Sequence, residues 1–99
     1  MNILLVCAAG MSTSLLVNRM NKAANEKGLE VHIEAHPVGE INRYGKNADV
    51  ILLGPQVRYE LKKIQSEYTD KPVEVINMQD YGLMNGVKVL DTALKLAEK

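Results

Sequence analysis

The sequence predicts a small three-layer α/β domain: a four-stranded parallel sheet with helices on both faces. Three observations carry this. Ile3-Leu4-Leu5-Val6 and Val50-Ile51-Leu52-Leu53 are continuous apolar runs, the pattern of strands buried on both faces. The longer stretches between strands place apolar residues at helical spacing. The two kinds of segment alternate as βαβαβαβα, which implies right-handed crossovers and a sheet covered by helices. With 99 residues, a single domain over 1–99 is expected.

Each element has its own signal. After the first strand, Leu16, Met20, Ala23, Ala24 and the base of Lys27 recur at helical spacing. Gly28 suits the position just past the end of that helix. Residues Glu30 to Ala35 alternate, with Val31, Ile33 and Ala35 on one side and Glu30, His32 and Glu34 on the other. This predicts an edge strand with one wet face, broken by Pro37 and Gly39. A short helical turn is expected over Ile41 to Tyr44. The second buried strand, Val50 to Leu53, stops at Gly54-Pro55. Val57, Leu61, Ile64 and Tyr68 then form one helical stripe. Val73 to Ile76 is the fourth strand, and Val87, Leu90, Leu94 and Ala97 mark a C-terminal helix.

Composition excludes several functions. Twelve Lys and Arg against twelve Asp and Glu give a formal charge of zero, which argues against nucleic-acid binding. Cys7 is the one cysteine, so neither an internal disulfide nor a four-cysteine zinc site can form. His32 and His36 do not suit a two-histidine metal site, since at i and i+4 of a strand they share a side but lie ~13 Å apart. The start of the chain does not read as a signal peptide, and no run approaches the ~18 to 20 apolar residues of a membrane span. A cytoplasmic location is therefore expected, where a thiol stays reduced.

In a parallel sheet of this kind, ligands bind beyond the carboxyl ends of the strands. The loops there are Cys7 to Ser14, His36 to Gly39, Gly54 to Gln56 and Asn77 to Gly86. The first is the richest in chemistry. Cys7, Ala8, Ala9, Gly10, Met11, Ser12, Thr13 and Ser14 join a buried strand to a helix start. Small residues let the backbone curl so that N–H groups converge, and the helix dipole adds positive potential. Ser12, Thr13 and Ser14 add hydroxyl donors or caps. This field favours the nucleophilic thiolate of Cys7. No Asp or Glu lies within residues 1 to 25 to repel an incoming anion.

Three chemistries fit such a loop to different degrees. A cysteine phosphatase of low molecular weight places Arg six residues after its Cys, but Thr13 stands there and the clamping guanidinium is missing. No Asp-Pro supplies a mobile general acid. A flavodoxin-like phosphate or flavin module would give Cys7 no task. Phosphoryl transfer through a cysteinyl phosphate uses every feature of the loop and needs none that is absent. Around it, Met11, Pro55, Val57 and Tyr81 are candidates for an apolar docking rim. His36, Gln56 and Tyr81 have roles the residues alone leave open, and Asp49 reads as a turn or cap residue.

The segment from Cys7 to Val17 closely resembles the phosphocysteine loop of sugar phosphotransferase system enzyme IIB, lactose/cellobiose class. The likeness continues through Asn47 to Val57 and Lys71 to Ile76, so it spans nearly the whole chain. The resemblance implies a sheet similar in outline to that of small tyrosine phosphatases. It implies a phosphotransferase in which Cys7 accepts a phosphoryl group from a phosphohistidine on enzyme IIA. Cys7 then passes it to a sugar held by the membrane enzyme IIC, so the protein would meet the inner face of the membrane transiently. Backbone amides of Ala8 through Ser14 would hold the phosphate. No metal or organic cofactor is implied, and a monomer is expected. The class implies a β-linked disaccharide such as cellobiose, chitobiose or lactose.

Overall fold

A computed structural model describes residues 1–8 and 13–98 of the chain, without the side chain of Thr13. The strands are β1 (Asn2–Cys7), β2 (His32–Pro37), β3 (Val50–Leu53) and β4 (Val73–Val75). They form one parallel sheet in the order β2-β1-β3-β4. The register aligns Val6 with His36 and with Leu53, and Leu53 with Val75. The carboxyl ends of the strands therefore share one edge.

The helices are α1 (Thr13–Glu26), α2 (Ile41–Tyr44), α3 (Leu61–Glu67), α4 (Met78–Gly82) and α5 (Gly86–Ala97). Alternation along the strands divides the core in two. Ile3, Leu5, Val50 and Leu52 face α1 and α5, meeting Leu16, Met20, Val89, Leu90 and Ala93. Leu4, Val6, Ile51 and Leu53 face the other way and meet Ile41, Val57, Ile64 and Tyr68. Both central strands are thus buried on both faces, as their apolar runs require. The Gly28 backbone is left-handed, with φ 68°, so the first helix ends where the glycine permits.

Three elements differ from the sequence reading. The stripe from Val57 to Tyr68 is not one helix. A 3-10 segment covers Pro55–Glu60, α3 covers Leu61–Glu67, and Val57 breaks the two with φ −115° and ψ 22°. The Val57 N–H donates to the Gly54 carbonyl at 3.0 Å, a tight turn that Pro55, lacking its own N–H, leaves in place. Second, the loop expected over Asn77 to Gly86 contains α4. Asn77 caps it, its side chain accepting from the N–H groups of Gln79 and Asp80 at 2.9 and 3.1 Å. Third, the buried face of α5 is Gly86, Val89, Leu90 and Ala93, and Val87 lies outside it.

The third difference traces to Gly86. A Cβ there would meet the Arg19 carbonyl carbon at 2.5 Å and the Met20 nitrogen at 2.7 Å. The start of α5 therefore lies directly on the backbone of α1. The Arg19 guanidinium completes the contact by donating to the carbonyls of Leu83 and Met84 at 3.2 and 3.1 Å. Met84 itself takes a left-handed conformation with φ 51°. Gly86→Ala should force α5 off α1 and cost about 1–3 kcal/mol. A thermal or urea melt should show the midpoint falling by several degrees; an unchanged midpoint would mean that the two helices part without cost.

Candidate functional site

Cys7 ends β1, and its side chain is buried. β1 is clamped on both sides near this point. Cys7 pairs in register with Pro37 of β2. The Gly54 N–H, just past β3, donates to the Val6 carbonyl at 2.8 Å. The thiol donates to the His36 carbonyl at 3.6 Å. The first predicted site residue thus sits at the carboxyl edge between two strands, where the topology locates a ligand site.

The remaining loop residues divide. Ala8 follows Cys7 and is partly buried against the core of the second face. Thr13 opens α1, and Ser14 is exposed in its first turn. Ala9, Gly10, Met11 and Ser12 lie outside the described residues. No acidic side chain occupies the first turn of α1, so the positive end of its dipole is not offset locally.

The surroundings correct part of the expected rim. Val57 is 2% exposed and Tyr81 6% exposed, so neither forms an outer docking surface. Val57 belongs to the core beneath the 3-10 segment. Among the described residues, the most exposed large apolar side chains are Tyr59, Met78 and Leu83, at 75%, 61% and 64% exposure. Tyr59 and Met78 line an open cleft of ≈ 590 Å³ with Pro55, Gln56, Arg58, Tyr81 and Gly82. Sequence reasoning passed over all three, because an exposed apolar residue leaves no periodic mark. Gln56 is exposed, and its Oε1 lies 2.9 Å from where a Gly54 Cβ would stand. Asp49 accepts from the Asn2 N–H at 2.7 Å, joining the starts of β1 and β3.

His36 contributes its backbone to Cys7, while its ring turns elsewhere. The ring stacks on Tyr44 with centroids 3.4 Å apart and planes within 1°. Its Nε2 lies 3.3 Å from Glu34 Oε1, and His32 Nε2 lies 3.1 Å from Glu34 Oε2. The edge strand thus carries a carboxylate between two imidazoles. Among the described residues, no group of three or more His, Cys, Asp or Glu could hold a metal ion. No described helix is long and apolar enough to cross a membrane.

The hydrogen bond from His36 holds the Glu34 carboxyl below its ordinary pKa of 4.5; slight burial opposes this, and His32 adds to the lowering. A carboxyl with a depressed folded pKa contributes stability that is complete above about pH 4.5 and is lost as pH falls through the lower folded value. Glu34→Gln should remove that component. Its stability deficit against wild type, read by denaturant melts, should be present near neutrality and shrink in acid. A deficit that does not change with pH would contradict the pairing.

A model of the family described as "PTS system, Lactose/Cellobiose specific IIB subunit" matches residues 2–92. The chain is 46% identical to the PTS system galactose-specific EIIB component of Lactococcus lactis subsp. cremoris, covering 95% of this chain and 94% of that protein. It is 31% identical to part of the lactose-specific EIICB component of Lacticaseibacillus casei, covering 85% of this chain and 15% of that protein. Among solved structures, the cellobiose-specific phosphotransferase IIB component from Borrelia burgdorferi superposes with a TM-score of 0.83 at 44% identity. That match covers 99% of this chain and 92% of the other. Both the sequence match and the arrangement of strands around Cys7 lead to one assignment: the chain belongs to the lactose/cellobiose-specific IIB family of the sugar phosphotransferase system.

Proposed function

We propose that this protein is the phosphoryl carrier between an enzyme IIA and a sugar held by a membrane enzyme IIC, with Cys7 as the carrier residue. The observation that carries the reading is the seat of Cys7. The one thiol of the chain ends the central strand, at the mouth of the loop that leads into the N-terminus of α1. A phosphoryl group on that sulfur would meet the backbone N–H groups of Ala8 through Ser14 and the positive end of the α1 dipole.

The transfer balances in two steps. The thiol first loses its proton to solvent. Its sulfur attacks phosphorus as the nitrogen–phosphorus bond of the donor phosphohistidine breaks, and the imidazole leaves with that electron pair. A sugar hydroxyl then attacks phosphorus, the sulfur–phosphorus bond breaks, and the thiolate is restored while the hydroxyl proton passes to a base. The name EIICB, borne by a relative that contains a stretch similar to this chain, supports an EIIC partner. A phosphohistidine donor on enzyme IIA, action at the cytoplasmic face of the membrane, and a β-linked disaccharide substrate complete the proposal. Tyr59 and Met78, exposed beside the carboxyl edge, offer an apolar area suited to brief docking by such partners.

A relay must hold its phosphoryl group against water. Thr13 stands where a cysteine phosphatase carries the Arg that activates hydrolysis. We attribute the expected persistence of the phosphocysteine to that missing guanidinium and to the missing general acid.

Two experiments follow. Phosphorus NMR or intact mass after incubation with a phosphohistidine donor should show one added phosphoryl group on wild type and none on Cys7→Ser. A gain that persists in Cys7→Ser would overturn the assignment of the carrier. Thr13→Arg should shorten the lifetime of the phosphocysteine in water, and an unaltered lifetime would refute the account of its persistence.

A further inference from the structure

Tyr81 carries the one buried side-chain polar atom without a hydrogen-bond partner among the described residues, its hydroxyl oxygen. The residue is 6% exposed and comes from α4. Its place is specific. The ring carbon Cε1, adjacent to the carbon bearing the hydroxyl, lies 3.5 Å from the position of a Gly54 Cβ. The Val6 carbonyl oxygen lies 3.5 Å from that same position. The hydroxyl end of the ring is therefore at the carboxyl edge of β1 and β3, beside the residue that precedes Cys7. The ring shares its core with Leu16 of α1. Tyr81 thus stands among the three elements that frame the Cys7 loop: the ends of β1 and β3 and the start of α1.

A hydroxyl buried without a partner lowers stability, and a phenylalanine would fill the same space without that cost. The other buried tyrosine obeys the ordinary rule: the Tyr68 hydroxyl donates to the Ile41 carbonyl at 3.3 Å. The exception lies at the site, which is where unsatisfied buried groups find partners in another state of the protein. Because Gly54 has no side chain, the space between the ring and the end of β1 is left to Gln56 Oε1, 2.9 Å from that same Cβ position, which makes no hydrogen bond to the Tyr81 hydroxyl. Building on the carrier reading, we propose that Tyr81 is a phosphoryl-binding residue. Its hydroxyl donates a hydrogen bond to an oxygen of the phosphoryl group on Cys7, adding a side-chain donor to the backbone amides of the loop. The unphosphorylated protein bears the unsatisfied hydroxyl, and the phosphorylated protein satisfies it.

The test is Tyr81→Phe, which removes one oxygen and keeps the ring. Unphosphorylated Tyr81→Phe should melt at the wild-type temperature or above it. The equilibrium constant for phosphoryl transfer from a phosphohistidine donor should fall about tenfold or more, the scale of one hydrogen bond to a charged acceptor. The phosphorus NMR signal of the phosphocysteine should also move. An equilibrium constant and a phosphorus signal equal to those of wild type would overturn the proposal while leaving the carrier reading intact. A marked loss of stability in unphosphorylated Tyr81→Phe would overturn it too, because the hydroxyl would then have a structural partner. Wild type that takes up no phosphoryl group would remove the carrier reading and this inference together.

Discussion

The structure depends on how β1 is held. It is the second strand of four, paired with β2 on one side and β3 on the other. Parallel pairing fixes register through evenly spaced backbone bonds. A slip of one residue would turn Leu4 and Val6 into the space of Ile3 and Leu5 and exchange the two cores. The bond from Gly54 N–H to the Val6 carbonyl extends this ladder one residue past β3. Because register is fixed by core burial, so is the position of Cys7 relative to His36, Gly54 and the start of α1. The proposed carrier residue needs no dedicated scaffold of its own.

Much of this was legible in the residues, and the reasons are particular. Val50 to Leu53 has sharp bounds because Gly54-Pro55 ends it, and four apolar residues in a row have no wet face to confuse the pattern. The edge position of β2 was written in the alternation of Ile33 with His32 and Glu34. The broken third helix was not legible. The spacing of Val57, Leu61, Ile64 and Tyr68 is tolerated by a 3-10 turn followed by an α turn as well as by a continuous helix, so the break at Val57 leaves the stripe unchanged. Helix α4 escaped because it buries only Tyr81, and one buried residue makes no period. Asn77 was its one available sign. The α5 stripe was misjudged by the exposed Val87, since the contact that orients the helix is made by a glycine, which carries no hydrophobic signal.

The candidate site was marked in the sequence in a different way. Cys7 at a strand end, small residues and hydroxyls before a helix start form a chemical pattern that does not depend on periodicity. The rim was harder. Tyr81 and Val57 are apolar and adjacent to the edge, which suits either an outer surface or a core wall. Burial decides for the wall, and only the packing of α4 and the 3-10 segment against the sheet could decide it.

The two faces of the sheet are unequal, and this bears on the site. One face is covered by the longest helices, α1 and α5, locked by Gly86 and by the Arg19 bonds to Leu83 and Met84. The Lys27–Asp91 pair joins them at the far end, though an exposed pair contributes little. The other face is covered by the short helices α2 and α3 and by 3-10 turns. Local opening should therefore be easier on the second face, where fewer residues act as one unit. The Cys7 loop begins on the central strand and ends on α1, so both of its anchors belong to the better-locked part of the molecule. The turn that brings Tyr81 to the same edge is fastened to α1 through Arg19. Cys7 at one end and α1 at the other are thus held in one relation by the same core, and a fixed seat is what a phosphoryl carrier needs to meet successive partners.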